Sequence, residues 1–225
     1  MQKPIVVSLF DLTGASVQPW ADAGYECHII DRQHKSLLTG AFLRENIHAH
    51  SLDLLNTTPD DILCSIKCYG RKVAFVSAYP DCSAVACSGA RWFKGKGLRA
   101  LADSVHMFAT AADFCEAVGA PYYIENPVST ISTYWRKPDY SFHPWQYSGL
   151  EPADCYTKKT CLWTGGGFNM PEPDCDPDCQ PDDRIHKAAP GPERKNFRSA
   201  TPAGFAQAVF MANAPIQSVK LEKVT

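Results

Sequence analysis

Short apolar runs separated by turn-forming residues set the rhythm of the first half of the chain. Residues 4–10 are apolar at nearly every position and of strand length, the pattern of a strand buried on both faces. Asp11, Leu12, Thr13 and Gly14 then predict a tight turn, and residues 17–23 a short helix closed by Gly24. Residues 26–30 form a second strand ending on Asp31, and residues 50–53 close a third short one. Thr58, Pro59, Asp60 and Asp61 mark a helix start: a capping hydroxyl, a proline in the first turn, and acids at the positive end of the dipole. That helix is expected to reach about residue 69, with Gly70 as its stop.

Residues 73–77 predict the fourth strand, and residues 97–118 a long helix. Its apolar positions, Leu98, Leu101, Val105, Phe108, Ala112 and Cys115, alternate spacings of three and four, which makes one buried face; Gly119 ends it. Residues 121–124 are the next strand. This alternation predicts an α/β fold with a mostly parallel sheet and helices on both faces. Past about residue 130 it fades, and Tyr134, Trp135, Tyr140, Trp145 and Tyr147 mix with prolines and basic residues. Residues 161–163 suit another strand, residues 174–184 an acidic proline-rich loop, residues 184–198 a basic segment, and residues 202–213 a final helix capped by Thr201. The expected division is a core over residues 1–130 and, over residues 131–225, a short, irregular aromatic and basic region whose terminal helix packs back on that core.

With 225 residues, 45% hydrophobic and 20% charged, the chain can bury one good core. A net charge of −2 carries no global basic signature, so nucleic-acid binding must rest on local patches. No apolar run approaches the ~18 residues of a membrane span, and the first apolar run is only strand-length. Neither a span nor a secretory signal is expected, which predicts a cytoplasmic protein whose ten cysteines are reduced thiols. Cys175 and Cys179 have a ligand-like spacing, but no second tight pair accompanies them and no metal is assigned. Cys27, Cys87 and Cys115 read as core residues, as do Cys64 and Cys68 on one face of the helix after Thr58.

Candidate chemistry stands at two strand ends. A cysteine-bearing loop, Pro80-Asp81-Cys82, follows the strand at residues 73–77, and Glu125-Asn126-Pro127 follows the strand at residues 121–124. Open α/β sheets place their sites outside the carboxyl ends of strands, so the two together suggest a thiol nucleophile with a carboxyl partner. Arg91, Trp92, Lys94 and Lys96 form a basic aromatic segment just beyond that loop, suited to holding phosphates and stacking a base. Trp135, Arg136 and Lys137, with Lys158 and Lys159, would extend it.

In this order the residues resemble a class I S-adenosylmethionine-dependent methyltransferase, and specifically the cytosine-C5 DNA methyltransferase family. Ser8 to Gly14 followed by Ala23-Gly24-Tyr25 is similar to the family's first motif, Pro80-Asp81-Cys82 with Gly89 to its nucleophile loop, and Glu125-Asn126-Pro127 to its glutamate-asparagine-valine motif. The resemblance covers roughly residues 5–165 and lies in the ordered set of motifs. Small phage-encoded methyltransferase-like proteins also resemble Trp135-Arg136-Lys137-Pro138 and the stretch from Tyr156 to Trp163.

The resemblance implies a Rossmann-like class I methyltransferase fold in a bacterial or phage-infected cell. It implies S-adenosylmethionine as cofactor, held by Phe10, Asp11, Thr13, Gly14, Asp31, Asp53 and Pro80. It implies Cys82 as nucleophile, Glu125 as its acid partner and Asn126 as a brace. The implied partner is DNA, as a duplex with a flipped base or as a single strand, contacted through Arg91, Trp92, Lys94, Lys158 and Lys159. Phe10 departs from the pattern, standing where the family has an aspartate, with Asp11 one residue later. Asp81 replaces a second proline and places a negative charge beside Cys82, which raises a thiol pKa. These departures keep open a thiol-addition enzyme acting on a nucleotide, on RNA or with another one-carbon donor, and a catalytically silent nucleic-acid-binding module.

Overall fold

A run such as Ile-Val-Val-Ser-Leu has no polar face to offer water and folds as the middle of a sheet. The computed structural model describes residues 4–34, 44–68, 70–187 and 198–215, and in it this run is β1 (Ile5–Leu9), buried at every position. Around it stand β2 (Glu26–Ile30), β3 (Ile47–His50), β4 (Val73–Ala78), β5 (Tyr122–Pro127), β6 (Tyr140–Phe142) and β7 (Thr160–Gly165), in the order β3-β2-β1-β4-β5-β7-β6. The first five strands pair in parallel, and β7 runs antiparallel to both its neighbours. Strand order reverses between β1 and β4, and in such sheets the crevice at the reversal is where ligands bind.

Apolar residues cover both faces. One face carries Val7, Leu9, Val76, Ile124 and Trp163 under α2 (Pro59–Ser65) and α3 (Phe93–Val118). The other carries Val6, Ile29, Phe75, Tyr123 and Leu162, and is packed by α1 (Gln18–Asp22) and α6 (Ala203–Asn213). Two single-turn helices, α4 (Ile131–Tyr134) and α5 (Arg184–Lys187), also lie among the described residues. No helix among them is long and apolar enough to cross a membrane.

Local signals fail where a distant group takes over their task. The helix after Thr58 forms the expected capping box with Asp61, but α2 stops at Ser65. Lys67 takes the left-handed conformation, and the Cys68 N–H donates to Leu63 O at 3.0 Å, closing the helix before Gly70. In α3 the expected face holds from Leu101 onward, but Leu98 is 83% exposed. Gly97 breaks the helical geometry just before it, and residues 94–99 are exposed. Thr201 does not cap α6: its N-cap is Pro202, and the buried Asp154 carboxylate accepts from the Gly204 N–H at 2.8 Å. A side chain at Gly204 would sit 2.4 Å from the Tyr147 carbonyl oxygen, so the close approach requires glycine.

Three expectations about cysteines are corrected. Cys155 and Cys179 form a disulfide, with Cα atoms 5.8 Å apart, so these two are not reduced thiols. The acidic loop folds back along the chain, with Thr157 N–H donating to Asp182 O at 2.7 Å and Gly149 N–H to Asp174 O at 2.9 Å, and this brings Cys179 to Cys155. Cys87 and Cys64 are exposed, because their segments lie at the rim and on the outer face of α2. Of the basic segment at residues 184–198, positions 188–197 lie outside the described residues.

Candidate active site

At the carboxyl end of β1 the backbone turns sharply. Phe10 has a left-handed φ of 56°, and its ring packs partly into the α3-side core. Asp11 is buried and its carboxylate accepts from Thr13 N–H at 3.0 Å, Gly14 N–H at 2.7 Å, Ser8 Oγ at 2.8 Å and Ser16 Oγ at 2.9 Å. With five donors on it, Thr13 Oγ1 at 3.3 Å being the fifth, this carboxylate shapes the turn from within. Gly14, at φ 67°, supplies the left-handed corner, and Thr13 stays exposed. Asp31, half-buried at the end of β2, accepts from the Gln33 N–H at 2.7 Å. Asp53, exposed beyond β3, caps a short 3₁₀ turn through the Leu55 N–H. Three adjacent strand ends therefore carry one carboxylate each.

The end of β4 carries the thiol. Pro80 is buried, and its carbonyl accepts from Asn126 Nδ2 at 3.0 Å, so the end of β5 holds the loop that bears Cys82. Asn126 is 2% exposed, and its Oδ1 has no hydrogen-bond partner. Asp81 turns to its own loop, accepting from Ser83 N–H at 3.0 Å and Ser83 Oγ at 2.6 Å. Cys82 is half-buried, and its thiol is pushed up to about 11, first by burial, then by the charges of Glu125 and Asp81, with Lys158 pulling the other way.

β5 extends through Pro127, farther than its apolar run, because β7 pairs with it in antiparallel register from Gly165 to Thr160. Glu125 thus sits inside a strand and points into a narrow pocket with Tyr79, Tyr123, Lys158, Thr160 and Thr201. Burial raises its carboxyl pKa, and Lys158 partly offsets this. The Tyr79 and Tyr123 hydroxyls are hydrogen-bonded to each other, with Thr201 lining the same pocket. His34, buried, bonds the Asp11 carbonyl through Nε2 at 3.0 Å. Sequence reasoning missed Tyr79, Tyr123, His34 and Thr201. Only Tyr79 had a usable signal, its place directly before Pro80.

The structure brings Cys82, Glu125, Asn126, Pro80 and Lys158 together, with the turn at residues 10–14 at the neighbouring strand end. Arg91 lies over Trp92 with its guanidinium carbon 5.2 Å from the ring centroid, and Trp92 is 60% exposed; Lys94 is exposed nearby in the chain. Lys159 parts from Lys158: the latter lines the Glu125 pocket and the former a second cleft.

No protein-family model matches the chain, and no curated protein matches it in sequence. Solved structures do. An Escherichia coli prophage-encoded candidate DNA modification methyltransferase superposes with a TM-score of 0.50 at 11% identity, over 72% of this chain and 46% of that one. The S. pombe Dnmt2 methyltransferase gives a TM-score of 0.45 at 13% identity, over 85% of this chain and 57% of its own. The chain thus spans about half the length of the structures it matches. At such identities the likeness is one of fold: an α/β, seven-stranded, mostly parallel sheet like that of class I methyltransferases.

Proposed function

We propose that the chain methylates C5 of cytosine in DNA, using S-adenosylmethionine and a covalent bond between Cys82 and C6 of the ring. The observation that supports this is the meeting of Cys82 and Glu125 at the carboxyl ends of adjacent parallel strands, with Asn126 bonding one strand end to the other.

The donor fits the residues present. Gly14 leaves the end of β1 without a side chain at its corner, and in this reading the carboxylates of Asp31 and Asp53, at the next two strand ends, would meet the ribose hydroxyls and the adenine amino group. Asp11, spent on its own turn, and Phe10 would shape that cradle, with Thr13 and Pro80 along its edge. The bound donor would supply an electrophilic methyl group, which C5 of cytosine is too weak a nucleophile to take unaided.

The chain's own residues raise that nucleophilicity. The Cys82 thiolate adds to C6 while protonated Glu125 passes its proton to ring N3, so the ring becomes an enamine with electron density on C5. Once C5 has been alkylated, its proton leaves to water, the bond from Cys82 to C6 breaks, and the N3 proton returns to Glu125. The raised pKa of Glu125 suits an acid. The base must leave its stack to reach this pocket, and Arg91, Trp92 and Lys94 stand beyond the loop to hold the strand around it.

Nucleoside mass spectrometry of DNA incubated with protein and S-adenosylmethionine should show 5-methylcytosine. Unmodified cytosine across varied duplex and single-stranded substrates would overturn the reading. A silent nucleic-acid-binding module has one observation on its side, a Cys82 thiol held near 11. Oligonucleotides carrying 5-fluorocytosine separate the two, since the C5 substituent cannot leave after methyl transfer. An enzyme stays covalently joined through Cys82, and a binder does not.

A further inference from the structure

Successive residues of a strand point to opposite faces of its sheet, and the approach to β7 splits two neighbouring lysines in this way. Lys158 lines the pocket of Glu125 with Thr160. Lys159 lines a separate cleft of about 340 Å³ with Trp163, whose ring belongs to the opposite core. Lys137, on the loop before β6, lines the same cleft, as do Ser129, Ser132 and Ser141, and the Ser132 Oγ donates to the Ser129 carbonyl at 3.0 Å. Neither lysine is paired with a carboxylate among the described residues; the nearby Asp139 is engaged by Arg136 at 2.6 Å and by the Thr164 N–H at 2.7 Å. Ser129 is 3% exposed, lines the cleft, and its Oγ has no hydrogen-bond partner. A buried hydroxyl without a partner is costly, and an anion between two ammonium groups would supply the acceptor it lacks.

We infer that this cleft is a second ligand site, one that binds the phosphate of a nucleotide unit and is separate from the Glu125 pocket. The Ser129 and Ser141 hydroxyls would donate to phosphate oxygens, and the two lysines would neutralise the charge. The wall is tied to the nucleophile loop: Ala86 bridges Ser129, Cys87 N–H donates to Val128 O at 2.9 Å, and Thr130 N–H donates to Val85 O at 3.0 Å. A phosphate held here therefore lies beside the loop that carries Cys82. The ligand is either a nucleotide of the bound strand, which rests on the proposed function, or a free nucleotide, which does not.

The test uses two cytosine-free probes, a fluorescein-labelled single-stranded oligothymidylate and thymidine 5′-monophosphate, on the full chain and on Lys137→Gln/Lys159→Gln. Both lysines are on the surface, and matched thermal melting shows that the variant is folded. Oligothymidylate affinity should fall about tenfold at 0.1 M salt, with the slope of log affinity against log salt smaller by about 1.4, two single-strand phosphate contacts. If monophosphate binding measured by calorimetry falls as well, the site takes a free nucleotide; if only the oligonucleotide is affected, it takes the strand. Wild-type affinities and an unchanged slope with both probes would overturn the inference. Neither probe contains cytosine, so binding here is read whether or not methylation occurs.

Discussion

The ends of β4 and β5 are neighbours in one sheet, and burial acts on both of their reactive groups in the same direction. At the end of β5 that direction suits the chemistry, because a carboxyl group whose pKa is raised holds its proton more readily and can act as an acid. At the end of β4 it opposes the chemistry, because a thiol held near 11 is almost wholly protonated at neutral pH. The same removal from water thus prepares one group and silences the other. The active form would hold the thiolate and the protonated acid together, a minority species, and the two titrate as a coupled pair.

The largest effect should come from removing the nucleophile. Cys82→Ala should abolish the cofactor-dependent adduct with 5-fluorocytosine DNA on denaturing gels, and an adduct that survives would move the nucleophile elsewhere. Glu125→Gln should come next, lowering turnover by about 10²–10⁴-fold. Its pH profile carries more than its size. In the native protein, log kcat/KM should rise with unit slope up to the Glu125 pKa, stay level as loss of acid cancels gain of thiolate, and fall above about 11. In Glu125→Gln the level stretch should vanish and the rise continue with unit slope, its break below 11 because a neighbouring negative charge is gone. A level profile in the variant would separate Glu125 from the proton transfer.

Asn126→Ala should cost about 1–3 kcal/mol in a denaturant titration, because the buried Pro80 carbonyl loses its donor. It should also slow adduct formation by freeing the loop, and an unchanged rate would mean that β5 does not position Cys82. The smallest effect should be an improvement. Asp81→Asn keeps an acceptor for Ser83 but removes a charge that raises the thiol pKa, so the level stretch should rise a few-fold. No gain would leave burial and the Glu125 charge responsible for the silent thiol.

Much of this arrangement was legible in the chain. β1, β2 and β4 announce themselves as apolar runs, and Thr58 with Asp61 forms the cap its spacing promised. Cys82, Glu125 and Asn126 were found as strand-end residues because parallel sheets collect such residues at one edge. The rest of the site was hidden. Tyr123 reaches Tyr79 through the pairing of β4 with β5, and Thr201 joins their pocket only because α6 packs against the sheet; no spacing encodes either. Lys158 and Lys159 read as one basic pair, yet strand alternation sends them to different pockets.

Sequence alone determined where backbone would bend and which stretches would be buried, because those choices depend on a few adjacent residues: Gly14 at its corner, the apolar face of α3, the nearly all-apolar β1. Tertiary structure alone decided which groups would share a solvent-poor space. The Cys155–Cys179 disulfide, the capping of α6 by Asp154 rather than Thr201, and the raised pKa values of Cys82 and Glu125 all depend on partners far away in the chain. Electrostatic and hydrogen-bond energies act over a few ångströms of space whatever the sequence separation, so they become definite only once the sheet has brought its strand ends together.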